Sequence, residues 1–184
     1  MCLSKLLALR RWSKFRKRVI RQTRVLPNKS KYRVDIRLFF VNPACEDLQK
    51  IVGSTKGWND EAKAAYCLSW VQSNIKYVSD KEQFGLEEFW MIPQEILNTR
   101  RGDCDDGAIL LANLLAAALG KKKSWKVMLA TGETKSGLGH MKVLLYSKGE
   151  WVALDWMSGE HLAKIWFIWN IEHVYVNLEE LETW

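Results

Sequence analysis

Apolar residues recur every three or four positions over the first two thirds of the chain and every second position after Trp125. Leu9, Trp12, Phe15, Val19 and Thr23 follow helical spacing with Arg and Lys between them, which predicts an amphipathic helix over 3–24 that ends at Pro27 and Asn28. Residues 33–41 read as a strand or extended connector, and 43–57 as loop with a short helical piece. A helix capped by Asn59 or Asp60 runs to about Tyr77, with Ala65, Leu68, Val71 or Gln72, and Ile75 on one face and Tyr66, Trp70 and Tyr77 widening it. Pro93 opens a short helix to Asn98, and a long apolar helix spans 103–119 with Gly120 as its stop. Residues 125–129, 141–146 and 151–155 alternate as strands, the last two joined by a tight turn at Lys148-Gly149. The stretch 164–176 is aromatic and β-branched, and a short acidic helix closes the chain. Helices followed by an antiparallel run predict an α+β domain over 38–184, preceded by a separate arm, 1–37.

Charge sharpens that division. Residues 1–37 hold 13 Lys and Arg against the single acid Asp35, a net +12, whereas the remainder carries −5. Such an arm suits an acidic partner, nucleic acid or an anionic membrane surface. No apolar run reaches the length of a membrane span, and Arg10 and Arg11 interrupt the leucines that would make a signal peptide. The expected setting is therefore cytoplasmic or virion-associated. The four cysteines, Cys2, Cys45, Cys67 and Cys104, show neither CxxC spacing nor a disulfide framework, and Cys67 reads as a small core residue.

Cys104 differs from the other three. Asp103 is a good N-cap and Asp106 completes a short capping box, so Cys104 occupies the first helical position, where free N–H groups and the helix dipole favour a thiolate. Asp103, Asp105 and Asp106 oppose this wherever they face the sulfur. A buried structural cysteine is the competing account. His140 begins one strand and Asp155 ends the next. With Lys148 and Gly149 as the turn, Ser147 pairs with Glu150, and counting outward sets Lys142 opposite Asp155 and His140 opposite residue 157. His140 and Asp155 then share a face, and a slip of one residue would separate them. Cys, His and a carboxylate on converging elements are the equipment of thiol acyl chemistry. His161 and His173 have no acid so placed.

The run Trp90-Met-Ile-Pro93-Gln-Glu95-Ile-Leu97, then Gly102-Asp103-Cys104-Asp105-Asp106, then an apolar helix ending Ala118-Leu119-Gly120, resembles the transglutaminase-like superfamily. Gly139-His140 and Leu154-Asp155 on successive strands fit the same pattern, and the likeness is closest to the bacterial and phage transglutaminase-like cysteine proteinases. The resemblance implies a papain-like core, a nucleophile helix on a small antiparallel sheet, with Cys104, His140 and Asp155 as the triad. It implies an amide-bond hydrolase or acyl transferase acting through a thioester on a protein or peptide substrate. No cofactor is required, although relatives that bind calcium suggest Asp103 and Asp105 as ligands. Trp90 and Gln94 are candidates for a substrate wall or oxyanion hole. Gly107 stands where an aromatic residue is common and would leave space beside the nucleophile. The rival reading is a non-catalytic assembly component, such as a phage-particle protein, that keeps the fold for binding. The basic arm and the tryptophans Trp166, Trp169 and Trp184, which lie outside the motif, favour that rival.

Overall fold

The computed structural model describes residues 15–17, 21–25, 31–157 and 159–177. Ten strands are described: β1 (Phe15–Lys17), β2 (Arg21–Val25), β3 (Lys31–Asp35), β4 (Lys76–Tyr77), β5 (Arg101–Gly102), β6 (Val127–Thr134), β7 (Gly139–Ser147), β8 (Glu150–Leu154), β9 (Leu162–Trp169) and β10 (Val174–Asn177). The α-helices are α1 (Glu46–Val52), α2 (Asp60–Asn74), α3 (Asp80–Phe84), α4 (Pro93–Thr99) and α5 (Cys104–Leu119). Six strands form one antiparallel sheet in the order β1-β10-β9-β6-β7-β8, while β2 and β3 make a hairpin and β4 and β5 a short parallel pair. The molecule is α+β.

α5 is apolar around its whole circumference because it has no solvent face. It packs on β6 and β7 on one side and on α1, α2 and α4 on the other. Ile109, Leu110, Leu111, Leu114 and Leu115 are fully buried, each contributing on the order of 1.5–3 kcal/mol of burial. The one polar residue of its middle, Asn113, is satisfied: its Oδ1 accepts the Val41 N–H at 2.8 Å, and its Nδ2 donates to the carbonyls of Phe39 and Ile109. The helix stops at Gly120, whose φ of 78° is left-handed.

Lys148 and Gly149, at φ 49° and 90°, make the β7–β8 turn. The register runs from Ser147↔Glu150 to Val143↔Leu154, which sets Lys142 level with Asp155.

Several expectations are corrected. The helix expected over 3–24 is absent where that segment is described: Phe15–Lys17 and Arg21–Val25 are strands. β1 pairs with β10, so part of the basic segment is an edge of the main sheet. Long-range pairing overrides the local helical spacing there; 3–14 and 18–20 lie outside the described residues. α2 ends at Asn74, and Lys76–Tyr77 instead pairs with Arg101–Gly102. Its buried face is Ala64, Cys67 and Val71, with Ala65 exposed, because the small Ala64 and Cys67 let the helix approach α5 closely. β6 begins at Val127, after a 3₁₀ turn over Ser124–Lys126. The acidic C-terminal helix lies outside the described residues.

Candidate active site

Asp103 caps α5. Its Oδ1 accepts the Asp105 N–H at 3.3 Å, while Asp106 Oδ2 accepts the Asp103 N–H at 3.3 Å, which closes the capping box. Cys104 is thereby held at the first helical position.

β7 meets it edge-on. In a two-residue hairpin the flanking pair is hydrogen-bonded, so Ser147, Leu145 and Val143 turn their amides toward β8. Met141 is next in that series, but β8 has ended at Leu154. Its N–H is turned toward Cys104 instead and favours the anion of that thiol. Cys104 and His140, the residue before Met141, line the same cleft.

His140 Nε2 lies 2.9 Å from Asp155 Oδ2. With the carboxylate at Nε2, that nitrogen carries the proton, and Nδ1 is left as the basic position. The same Oδ2 is 3.0 Å from Lys142 Nζ, and Oδ1 accepts the Met157 N–H at 3.1 Å. Burial raises the Asp155 carboxyl, but the hydrogen bonds and charges of His140 and Lys142 outweigh it and hold the group below the ordinary carboxylate range. Gly159 makes room for the pair, since a Cβ there would lie 3.1 Å from Asp155 Oδ2 and 3.2 Å from His140 Nε2.

Lys142 is the functional candidate to which sequence reasoning gave no role. Register placed it opposite Asp155, but nothing marked it as 5% exposed and bound to the carboxylate that holds His140. Lys142→Met is expected to lower kcat roughly 10- to 100-fold at unchanged KM, with Lys142→Arg retaining most of the rate, because Asp155 Oδ2 loses the cation that fixes it against His140. Unchanged kcat in the Met variant, or equal losses in both, would reduce Lys142 to a packing role.

The space beside Gly107 is filled. A Cβ on Gly107 would come within 2.1 Å of the Trp156 ring, and Trp156 Nε1 donates to the Cys104 carbonyl at 3.1 Å. The aromatic ring arrives from the loop after β8 rather than from α5 itself.

Cys104 and His140 sit where two lobes of a cleft join. The larger, about 620 Å³, extends past Trp90, Asp105, Thr131 and Trp166. The smaller, about 300 Å³, extends past Thr134, Ser136, Met157 and Glu160. Trp90 therefore walls the cleft, but its Nε1–H is already donated to Glu88, and its ring stacks on Trp169 at 6.0 Å. Gln94 is exposed, donates to Asn98 Oδ1 at 3.2 Å and lines neither lobe. Of the tryptophans outside the motif, Trp166 lines the larger lobe and Trp169 is a fully buried core residue, while Trp184 lies outside the described residues.

Acids crowd the start of α5. Carboxylate oxygens of Asp80, Asp103 and Asp106 lie within 4.8 Å of one another, as do those of Asp80, Glu88 and Asp105, and Asp103 and Asp105 also group with the Cys104 sulfur. Asp80 comes from the start of α3, outside the pair expected from sequence. Burial, then the Asp103 charge, pushes Asp80 up to about 7. Burial likewise raises Asp103, and burial with neighbouring carboxylates raises Asp105 and Asp106 well above the usual range. Burial, then Asp103 and Glu88, pushes the Cys104 thiol up to about 12, against the lowering effect of the Met141 N–H.

Residues 46–180 match the family model described as a transglutaminase-like domain. LapG of Legionella pneumophila has a similar fold, with a TM-score of 0.58 at 19% identity over 71% of this chain and 76% of that one. Its calcium-bound form gives 0.58 at 18% identity over 77% and 83%, and its EGTA-treated form 0.59 at 19% over 73% and 76%. No curated protein sequence matches the chain. Among the described residues, no helix is long and apolar enough to cross a membrane.

Proposed function

The chain belongs to the transglutaminase-like domain family, and from that premise we propose that it is a cysteine-dependent acyl-transfer enzyme, a peptidase or amidase, with Cys104, His140 and Asp155 as its triad. Residues 38–184 would form the catalytic domain, with the basic segment attached to its edge. The observation that carries the reading is the His140–Asp155 pair at 2.9 Å, with His140 and Cys104 lining the same cleft.

His140 Nδ1 takes the thiol proton as sulfur attacks the amide carbonyl. The Cys104 N–H has no carbonyl partner within the helix and is not used by the Asp103 cap, so it is the first-turn amide that would meet the developing oxyanion. His140 then passes its proton to the departing amine and leaves a thioester on Cys104. Water, deprotonated by His140, attacks the thioester and releases the acid and the free thiol. An amine in place of water would make the same chemistry a transglutaminase. Asp155 keeps Nε2 protonated and stabilises the imidazolium.

Calcium fits the acid cluster. Asp80, Asp103 and Asp106 would hold it, since each supplies oxygen to a hard cation and no Lys or Arg ion pair neutralises them among the described residues. Bound there, the ion would offset negative charge that opposes thiol ionisation. The calcium-bound form of LapG lends support.

The test is to trap the intermediate. With an activated peptide ester, intact-mass analysis should show one acyl adduct on Cys104, discharged by water and faster by hydroxylamine. A folded, calcium-supplied protein that forms no adduct would sink the reading.

A further inference from the structure

Resting on the acyl-transfer reading, we propose that the larger lobe of the cleft is a specificity pocket for a basic side chain, lysine or arginine, on the acyl side of an extended polypeptide. The two lobes share Tyr77, Cys104, Leu138, Gly139 and His140. Tyr77 and Leu138 are large apolar residues left 51% and 67% exposed, and they form the lips over which a chain passes from one lobe to the other. Both lobes reach Cys104 and His140, so the rest of the lining separates them, and the smaller, beside Ser136 and Glu160, is assigned to the leaving side. The acyl side then lies in the larger lobe, which also takes in Asp103 and Asp105 at the start of α5.

That lobe holds two orphaned polar atoms. Thr131 Oγ1 and Asp105 Oδ1 are buried with no hydrogen-bond partner, on residues 8% and 4% exposed. Both line the lobe. They lie on different elements, β6 and α5, and both accept hydrogen bonds. Leaving such atoms unpaired costs free energy that a ligand with donors recovers. Between them and the mouth the walls are apolar and aromatic: Trp166, Phe167, Met141 and Trp90, with the Glu88 carboxylate alongside.

A lysine or arginine side chain matches each part. Its stem is apolar and rests on the walls, and its head carries only donors, for Asp105 and Thr131. Aromatic faces attract the cation further. A norleucine-like chain would fill the walls and leave both atoms orphaned, and an acidic chain would meet Glu88 and Asp105.

The test measures binding to the full chain carrying Cys104→Ala, in saturating calcium, with peptides that differ at one acyl-side residue: arginine, lysine, norleucine or glutamate. The basic peptides should bind at least tenfold tighter than norleucine, and glutamate weakest. Asp105→Asn, or Glu88→Gln should that variant fail to fold, should erase most of the ratio while norleucine affinity stays. Thr131→Val should reduce it a few-fold. Equal or tighter norleucine binding, or no binding of any peptide at millimolar concentration, overturns the proposal. A wild-type chain that prefers basic peptides but forms no acyl adduct loses the enzymatic reading and keeps the pocket. One that acylates without preference loses the pocket alone.

Discussion

Cys104→Ala is expected to abolish turnover, a fall on the order of 10⁴-fold or more in kcat, because no other group can carry the acyl intermediate. The fold should survive. Cys104 is only half-buried at the first turn of α5, and the capping box of Asp103 and Asp106 that starts the helix does not use its sulfur. The thiol itself should be quiet at neutral pH. With its pKa pushed up to about 12 by burial and by Asp103 and Glu88, the thiolate fraction near pH 8 is on the order of 10⁻⁴. Alkylation of Cys104 in calcium-free protein, followed by peptide mass mapping, should therefore rise about tenfold per pH unit from pH 8 to 11. Cys67 has a thiol raised to the same value but is fully buried, so it serves as the protected control. An alanine variant that keeps a tenth of the activity would remove Cys104 from the chemistry. Alkylation that is flat between pH 6 and 9 would mean a preformed thiolate–imidazolium pair in place of proton transfer during attack.

Parts of this site are readable from sequence because local chemistry determines them. Asp103 and Asp106 as reciprocal caps and Gly120 as the stop delimit α5 without reference to the rest of the molecule. Lys148-Gly149 demands a two-residue turn, and the turn sets the register that puts His140 and Asp155 on one face. What sequence hides comes from distant partners. β1 is a strand because β10, some 160 residues later, offers it an edge, and local helical spacing yields to that. Glu88 reaches the acids of α5 across a loop, and Asp80 follows the parallel pairing of β4 with β5. Gly107 reads as open space until Trp156 arrives from beyond β8. Lys142 looks like an ordinary strand lysine until Asp155 is seen to bind it and His140 through one oxygen. Trp169 looks like part of a tail, yet it stacks on Trp90 of the family motif.

The acid cluster predicts an unusual stability profile. In chelator, the protein should be more stable at pH 5 than at pH 8. Asp80 is pushed up to about 7, and Asp103, Asp105 and Asp106 are raised with it. Between about pH 4, where unfolded carboxyls ionise, and pH 7 the folded chain binds more protons than the unfolded one, so stability falls as pH rises through this window. Allowing for solvent screening, the loss is on the order of 2–4 kcal/mol, or roughly 5–15 °C in Tm. Asp35, Asp60 and Asp155 are shifted the other way. Their contribution is present above the unfolded carboxyl pKa and is lost only as pH falls through their folded values, below about 4. The chelated protein should thus have its maximum near pH 4–5. Calcium should raise Tm at pH 8 and do little at pH 5, where protons compete more strongly for the same oxygens. Asp106→Asn should flatten the pH slope and weaken the calcium response together, because the same carboxylate contributes to both. A Tm that climbs from pH 5 to 8 in chelator would show that the acids are not crowded in solution. A chelated profile of the expected shape with no calcium response would leave the crowding intact and remove the cation.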